Sequence, residues 1–339
     1  MSRPKPEVTL SQLRARLDRF PRLSLADLPT PLTDCPRLSE ALGGPRILVK
    51  REDLAGLGFG GNKVRQFEYS LARAVEEGYD ILVHGAASQS NHSRLTAAAA
   101  ARLGLKAVML GRKDARSEPV NGNLLLTHLF GAHVHLVDRP EDKETYIERL
   151  KQEGHKVYNT STESRSLRSV AFVHGFLELW GQLRRRKVRP DGLYISSGFS
   201  QVGLSVAPRA LGIPIRIVGI SPSPLEETRE NARLAGIANE VARMLDLRQT
   251  FAAADIESYG GYAGEAYGVM TEECREALLL AARTEGLVLD PVYTGKAFAG
   301  LIDHIRRGQW TKDQTVIFVH TGGTPALFAY AEEMLEGEN

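Results

Sequence analysis

A lysine that follows two glycines and opens a helix is a candidate nucleophile for carbonyl chemistry. In this 339-residue chain that lysine is Lys63, the last residue of the run Gly60-Gly61-Asn62-Lys63 inside KREDLAGLGFGGNKVRQFEY (residues 50–69). The glycines let the backbone take conformations closed to residues with a Cβ. Val64, Phe67, Leu71 and Val75 follow at spacings of 3, 4 and 4, which predicts a helix over residues 65–77. Lys63 then sits on the first turn, where unpaired N–H groups and the helix dipole favour anions and depress an amine's pKa. Schiff-base chemistry suits such an amine. A solvated lysine beside an ordinary turn is the plain alternative, and this stretch alone does not choose between them.

Three other turns carry groups that bind anions or move protons. GAASQSNH (residues 85–92) packs Gln89, Ser90, Asn91 and His92 before a helix. These side chains either cap that helix or bind a substrate carboxylate together with its N–H groups. SSGFSQVG (residues 196–203) leads from a strand into a helix, so its N–H groups would face an anion such as a phosphate ester. It is glycine-poor for that task and matches neither the P-loop nor the dinucleotide fingerprint, so an ordinary turn remains open. TGGTP (residues 321–325) follows a further strand. Together, a lysine nucleophile, a phosphate turn and a carboxylate turn suggest a pyridoxal phosphate (PLP) enzyme acting on an amino acid.

Composition removes the competing classes. Apolar residues at 42% and charged residues at 25% are those of a globular protein. A net charge of +2, with no Lys/Arg block beyond residues 184–187, speaks against a nucleic-acid partner. No apolar run approaches the roughly 20 residues that span a bilayer, and MSRPKPEVTL has no apolar core for a secretory signal. Two cysteines, Cys35 and Cys274, make neither a disulfide framework nor a metal cluster. The expected location is the cytoplasm. No metal site is expected: the nine histidines are scattered, and His133 and His135 alternate on a strand without partners. GxSxG is absent, which argues against a Ser-His-Asp hydrolase.

The elements that must position these turns alternate along the chain. Strands are predicted over residues 47–50, 80–84, 106–110, 134–137, 155–158, 192–196, 215–221 and 316–320. Helices are predicted over 11–19, 93–103, 121–130, 141–153, 170–186, 203–211, 226–245, 271–285, 295–307 and from 324 onward. Short buried strands alternating with helices imply parallel sheets covered on both faces. The fold class is therefore α/β, with two domains, each an open and mainly parallel sheet flanked by helices. The pattern restarts near residue 170, so residues 1–65 with 170–339 would form the larger, cofactor-binding domain and 66–169 a smaller one. Ligands bind at the carboxyl ends of strands in such sheets, where residues 85–92, 196–203, 221–224 and 321–325 fall, and with Gly60–Lys63 these four turns could line one cleft.

Five blocks make a resemblance specific: KREDLAGLGFGGNKVRQFEY, QSNHSRLTAAAAARLG, GNLLLTHLFGAHV, LDPVYTGKAFAGLIDHIRRG and VHTGGTPALFAY. In order and spacing they resemble the D-cysteine desulfhydrase / 1-aminocyclopropane-1-carboxylate deaminase family of tryptophan synthase β-like PLP enzymes. The likeness runs from about residue 20 to 330. It implies that Lys63 holds PLP as a Schiff base and moves the substrate's α-proton. It implies that Asn91 bonds the cofactor's ring oxygen and that Ser90 lies beside the substrate carboxylate, within Gln89-Ser90-Asn91-His92. Tyr267 and Tyr293 would be active-site tyrosines, with buried aromatic packing as the alternative. Thr321 and Gly322 would flank the pyridine ring, and Gly198, Ser200 and Gly203 would hold the phosphate.

Thr294 bears on the reaction. By the resemblance, cyclopropane ring opening goes with a glutamate here, whereas a neutral hydroxyl suffices for α,β-elimination with a good leaving group. The expected reaction is elimination from a small amino acid, D-cysteine first, giving pyruvate, hydrogen sulfide and ammonia. Other outcomes in the family (deamination of 1-aminocyclopropane-1-carboxylate, cysteate sulfo-lysis, racemisation) and a catalytically inactive PLP-binding protein are the alternatives. A homodimer is implied by the resemblance alone. Two departures stand out: the phosphate turn is about two residues short, and TSTESRS (residues 160–166) replaces a Pro/Gly-Gly-Ser loop. Glu163, Arg165 and Arg168 add charge there, as a solvated loop or as a reshaped pocket.

Overall fold

Short strands that are buried along their whole length need partners on both sides, and parallel pairing supplies them. The computed structural model describes residues 5–138, 142–162 and 164–336. The first third runs α1 (Leu10–Leu17), β1 (Leu32–Asp34), α2 (Pro36–Leu42), β2 (Arg46–Arg51), α3 (Asn62–Ser70) and α4 (Ala72–Glu76). Next come β3 (Ile81–Gly85), α5 (Asn91–Leu103), β4 (Lys106–Arg112), α6 (Gly122–Leu129), β5 (His133–Val137), α7 (Lys143–Gln152) and β6 (Val157–Asn159). Then follow α8 (Arg165–Arg185), β7 (Gly192–Ser196), α9 (Phe199–Ala210), β8 (Arg216–Ile220), α10 (Glu227–Met244) and β9 (Glu257–Tyr259). The chain closes with α11 (Glu272–Glu285), α12 (Thr294–Arg306), β10 (Thr315–His320) and α13 (Ala331–Leu335).

The strands form two sheets. The six-stranded sheet has the order β1-β2-β10-β7-β8-β9, parallel except for β1, which runs antiparallel to β2. The four-stranded sheet, β5-β4-β3-β6, is wholly parallel. This is the expected α/β fold of mainly parallel sheets flanked by helices. Because β2, β10 and β7 are neighbours, the turns after their carboxyl ends meet at one edge.

Several boundaries differ from the periodicity. The helix expected over 65–77 is two helices that part after Ser70. α8 starts at Arg165 and α9 at Phe199, each earlier than apolar spacing indicates, because a cap sets the start. Ser164 Oγ accepts from Leu167 N at 3.2 Å, and Gly198 at φ 141° turns the chain sharply into α9. β1, α2 and β9 were not expected. The two strands have three residues each, too few for alternation to register. On β5 the rings of His133 and His135 meet at 4.1 Å, and His135 Nε2 bonds the Tyr146 hydroxyl at 2.9 Å. Residue 141, the expected start of the helix before β6, lies outside the described residues, as does Glu163.

The segment carrying Lys63 rests on a buried ionic cluster. Arg65, fully buried, donates through Nε and Nη2 to Glu52 at 3.0 and 2.9 Å and reaches Glu178 at 3.2 Å. Lys50 Nζ bonds Glu178, the Thr30 carbonyl at 2.7 Å and Gln182 Oε1 at 2.9 Å. Charges this deep persist only because each has an opposite partner and hydrogen bonds. The cluster ties α3 to β2 and α8 and so fixes where α3 begins.

Candidate active site

At the amino end of α3, Gly61 is the cap and Lys63 lies on the first turn. Gly60-Gly61 packs directly on Gly322 after β10. A Cβ on Gly322 (φ +89°) would come 2.7 Å from Gly61 Cα, and one on Gly60 (φ +62°) 2.0 Å from the Asp53 carbonyl oxygen. Only glycine fits this approach. Asn62 N donates to the Thr321 carbonyl at 3.0 Å, which locks the two turns together. His320 completes the lock. Its Nε2 faces the Val288 carbonyl at 3.1 Å, so that nitrogen carries the proton, and Nδ1 accepts from Gly322 N at 3.3 Å.

Lys63 opens into a cleft of about 260 Å³ that is also lined by Asn62, Gln66, Asn91, Arg168, Tyr293 and Thr321, with residues 196–200 and Arg233. Burial, then the guanidinium charges of Arg168 and Arg94, lower its pKa to about 7 against the opposing pull of Asp290. A large share of the amine is therefore unprotonated at neutral pH. Its nitrogen lies 5.4 Å from the centre of the Tyr293 ring.

Asn91 takes its orientation from a relay. Arg94 on α5 can only donate, so its Nε, 2.7 Å from Asn123 on α6, fixes that contact as Asn123 Oδ1. The Asn123 amide nitrogen is then turned to the Gln89 carbonyl at 2.8 Å and to Asn91 Oδ1 at 2.8 Å. Asn91 must accept there, which leaves its Nδ2 for the cleft side, close to Gly323. Neither Asn123 nor Arg94 was singled out from the sequence. Both are wholly buried polar residues, and a polar position inside an apolar helix pattern is the signal that could have found them.

Ser90 caps α5: its Oγ accepts from His92 N and Ser93 N, both at 3.2 Å, leaving its own proton for an acceptor. Gln89 is held by the loop before α6, with Nε2 3.3 Å from the Arg116 and Asn121 carbonyls and Oε1 accepting from Asn123 N at 2.9 Å. His92 turns from the cleft and stacks on His84 at 3.9 Å, 4° from parallel. Burial keeps both rings neutral, His84 down to about 3 and His92 well below its ordinary value. Ser90 is thus engaged as a cap through its lone pairs alone and His92 by packing, while Asn91 lines the cleft.

At the far end Ser200, on the first turn of α9, accepts from Asn62 Nδ2 and Gln66 Nε2, each at 3.0 Å. Ser196 Oγ is buried without a partner and lines the same space. Gly203 faces the other way, where a Cβ would come 2.2 Å from the Ser169 carbonyl oxygen of α8, so it serves helix packing. Arg165 is exposed and Arg168 buried.

Tyr293 and Tyr267 share a 2.7 Å hydrogen bond between hydroxyls. Tyr293 lines the first cleft. Tyr267 lines a second, of about 350 Å³, with Ser88, Gln89, Asp114, Arg116 and Tyr330. Burial holds Tyr293 well above its ordinary pKa, so its phenol keeps its proton. Thr294 begins α12, and its hydroxyl is engaged twice by Asp290: it donates to Oδ1 at 2.6 Å and accepts from Asp290 N at 2.7 Å. Asp290, unnoticed in the sequence, also takes Val292 N, Tyr293 N and Thr294 N on its carboxylate, and so sets the whole turn.

Fold and site together define a class. A family model described as pyridoxal-phosphate dependent enzyme matches residues 23–322, and the chain belongs to that family. Within it, a D-cysteine desulfhydrase of Salmonella choleraesuis (strain SC-B67) is 38% identical over 325 residues, covering 93% of this chain and 97% of the relative. The D-cysteine desulfhydrase of Salmonella newport (strain SL254) is 37% identical with the same coverage. A crystal structure of an ACC deaminase homologue matches with a TM-score of 0.83 at 31% identity, over 96% of this chain and 98% of the other. The resemblance read from the five sequence blocks is thereby shown.

Proposed function

We propose that this protein is a PLP-dependent carbon–sulfur lyase that cleaves a small amino acid, D-cysteine first, into pyruvate, hydrogen sulfide and ammonia with uptake of one water. The observation that carries the reading is Lys63: an amine brought to a pKa of about 7 in a cleft lined by cations and amide donors. Identity of 38% to a D-cysteine desulfhydrase supports the substrate.

The residues present fit the cofactor. The cleft beside Lys63 is lined by amide, hydroxyl and guanidinium groups of Asn62, Asn91, Ser197, Ser200 and Arg168. Ser196 Oγ is a buried group with no partner at the anion end. Bound there, PLP supplies an electron sink for charge developing at the substrate's α-carbon. Lys63 Nζ, unprotonated in part near pH 7, is the covalent anchor and takes the α-proton. Asn91 Nδ2 offers an N–H to the ring oxygen, and Thr321 and Gly322 form one wall. Ser90 Oγ–H binds the substrate carboxylate. Tyr293, which burial keeps protonated, would hydrogen-bond the departing sulfur, and its bond to Tyr267 links it to the second cleft. Thr294 has its proton committed to Asp290 and gives none to the pyridine nitrogen, which favours elimination over ring opening.

Residues 1–65 with 170–339 would form the larger domain, which carries Lys63, and 66–169 the smaller one, which brings Asn91 to the cleft. Leu125 and Leu129, one turn apart on α6, and Phe328 beside them are exposed, which supports a homodimer formed through that face. Cys35 and Cys274 are buried free thiols, in keeping with the reducing cytoplasm. Among the described residues no helix is long and apolar enough to cross a membrane.

The test is spectral and chemical. Added PLP should give the visible band of lysine-bound cofactor, lost in Lys63→Ala, and pyruvate with sulfide should appear from D-cysteine. Turnover of 1-aminocyclopropane-1-carboxylate in preference to both cysteine enantiomers would overturn the assignment.

A further inference from the structure

The anion end of the first cleft has few backbone donors. Only Ser197 and Gly198 separate β7 from α9, so the turn offers the N–H groups of one helix start and little more. A doubly charged phosphate ester gains further from a donor that is itself charged. Two guanidinium groups stand where extra charge is needed. Arg168 from α8 and Arg233 from α10 both line the cleft, and both pack on the ring of Phe199, at 4.6 and 5.9 Å from its centre.

Arg168 also organises the turn. Its Nε and Nη2 donate to Gln66 Oε1, each at 3.2 Å. Arginine only donates, so Gln66 must turn its amide nitrogen to Ser200 Oγ, which accepts it at 3.0 Å. Asn62 Nδ2 donates to the same oxygen at 3.0 Å. With two donors on its lone pairs, Ser200 keeps its own proton for an acceptor in the cleft, which Ser196 also lines. Arg168 contacts His92 Nδ1 as well, at 3.4 Å. Arg233 stands at the mouth, ion-paired with Glu230.

We propose that Arg168 is the charge partner of the cofactor's phosphate, with Arg233 as an outer cation, and that the pair replaces the backbone donors that SSGFSQVG lacks. This rests on the reading of the cleft as a PLP site. Apoprotein is titrated with PLP and with pyridoxal, which lacks the phosphate, following the visible band and tryptophan fluorescence. Arg168→Gln should raise half-saturation for PLP about tenfold or more over and above the shift for pyridoxal, which registers only Arg168's effect on the Lys63 amine. Arg168→Lys should recover part of the loss. Because Arg168 is buried, Arg233→Gln at the mouth is the second variant, with a shift of about twofold to threefold for PLP alone, the size expected of a screened charge. Equal shifts for both ligands, no shift for PLP, or a shift only in the KM of an anionic substrate would each overturn the proposal. Absence of any band in the wild-type protein would instead sink the PLP reading beneath it.

Discussion

Replacing Asn123 tests the relay that aims Asn91. Asn123→Leu keeps the volume and removes the side-chain bonds to Arg94 Nε, the Gln89 carbonyl and Asn91 Oδ1. Arg94 is fully buried, its Nη1 has no partner, and it would be left with one contact, Nη2 to the Gly60 carbonyl at 3.2 Å. A bond to a charged group contributes about 1.5–3 kcal/mol and each of the two neutral ones about 0.5–1.5 kcal/mol, so the loss should be roughly 2.5–6 kcal/mol. Asn123→Asp separates the two halves of the relay. Its carboxylate still accepts from Arg94 but cannot donate to the Gln89 and Asn91 oxygens, so Asn91 flips and turns its carbonyl toward the ring oxygen. That variant should keep more stability than Asn123→Leu yet bind PLP more weakly than wild type. Urea denaturation of the apoprotein gives the first quantity and spectral titration the second. The reasoning fails if Asn123→Leu costs less than about 1 kcal/mol, the range of an ordinary surface change, or if Asn123→Asp takes up PLP as wild type does.

Two further predictions concern α3. Lys63 has a folded pKa lowered to about 7, so above that pH the unfolded chain binds the extra proton and apoprotein stability rises up to the free-lysine pKa of about 10.4. Lys63→Met should therefore be more stable than the wild-type apoprotein at pH 7, with the gap closing toward pH 10 in urea melts; a gap independent of pH would contradict the lowered value. Arg65→Met leaves the buried Glu52 carboxylate with the Thr30 hydroxyl at 2.8 Å as its remaining side-chain donor. It should cost about 3–5 kcal/mol, as breaking a buried pair does, and a smaller loss than a neutral surface variant shows would remove the cluster from the account.

Much of the site was legible because its chemistry is local. Two glycines before Asn62-Lys63 dictate a turn, the 3-4-4 spacing dictates a helix, and Ser90 ahead of an alanine-rich run is a cap before it is anything else. Alternating buried strands and helices likewise required parallel sheets, whose carboxyl ends carry the four turns. The rest depends on contacts between residues distant in sequence. Arg94 meets Asn123 across 29 residues and Asn62 meets Ser200 across 138, and neither pairing leaves a trace in apolar spacing. Arg168 reads equally as solvated or as pocket-lining until Ser164 starts α8 early and turns it inward. Thr294 reads from the sequence as a neutral hydroxyl, and only the structure shows Asp290 taking its proton. The sequence by itself determined that Lys63 begins a helix beside an anion-favouring turn, because turn chemistry and periodicity act within a few residues. Only the tertiary structure decided its acidity and its surroundings, because burial and the charges of Arg168, Arg94 and Asp290 act through space.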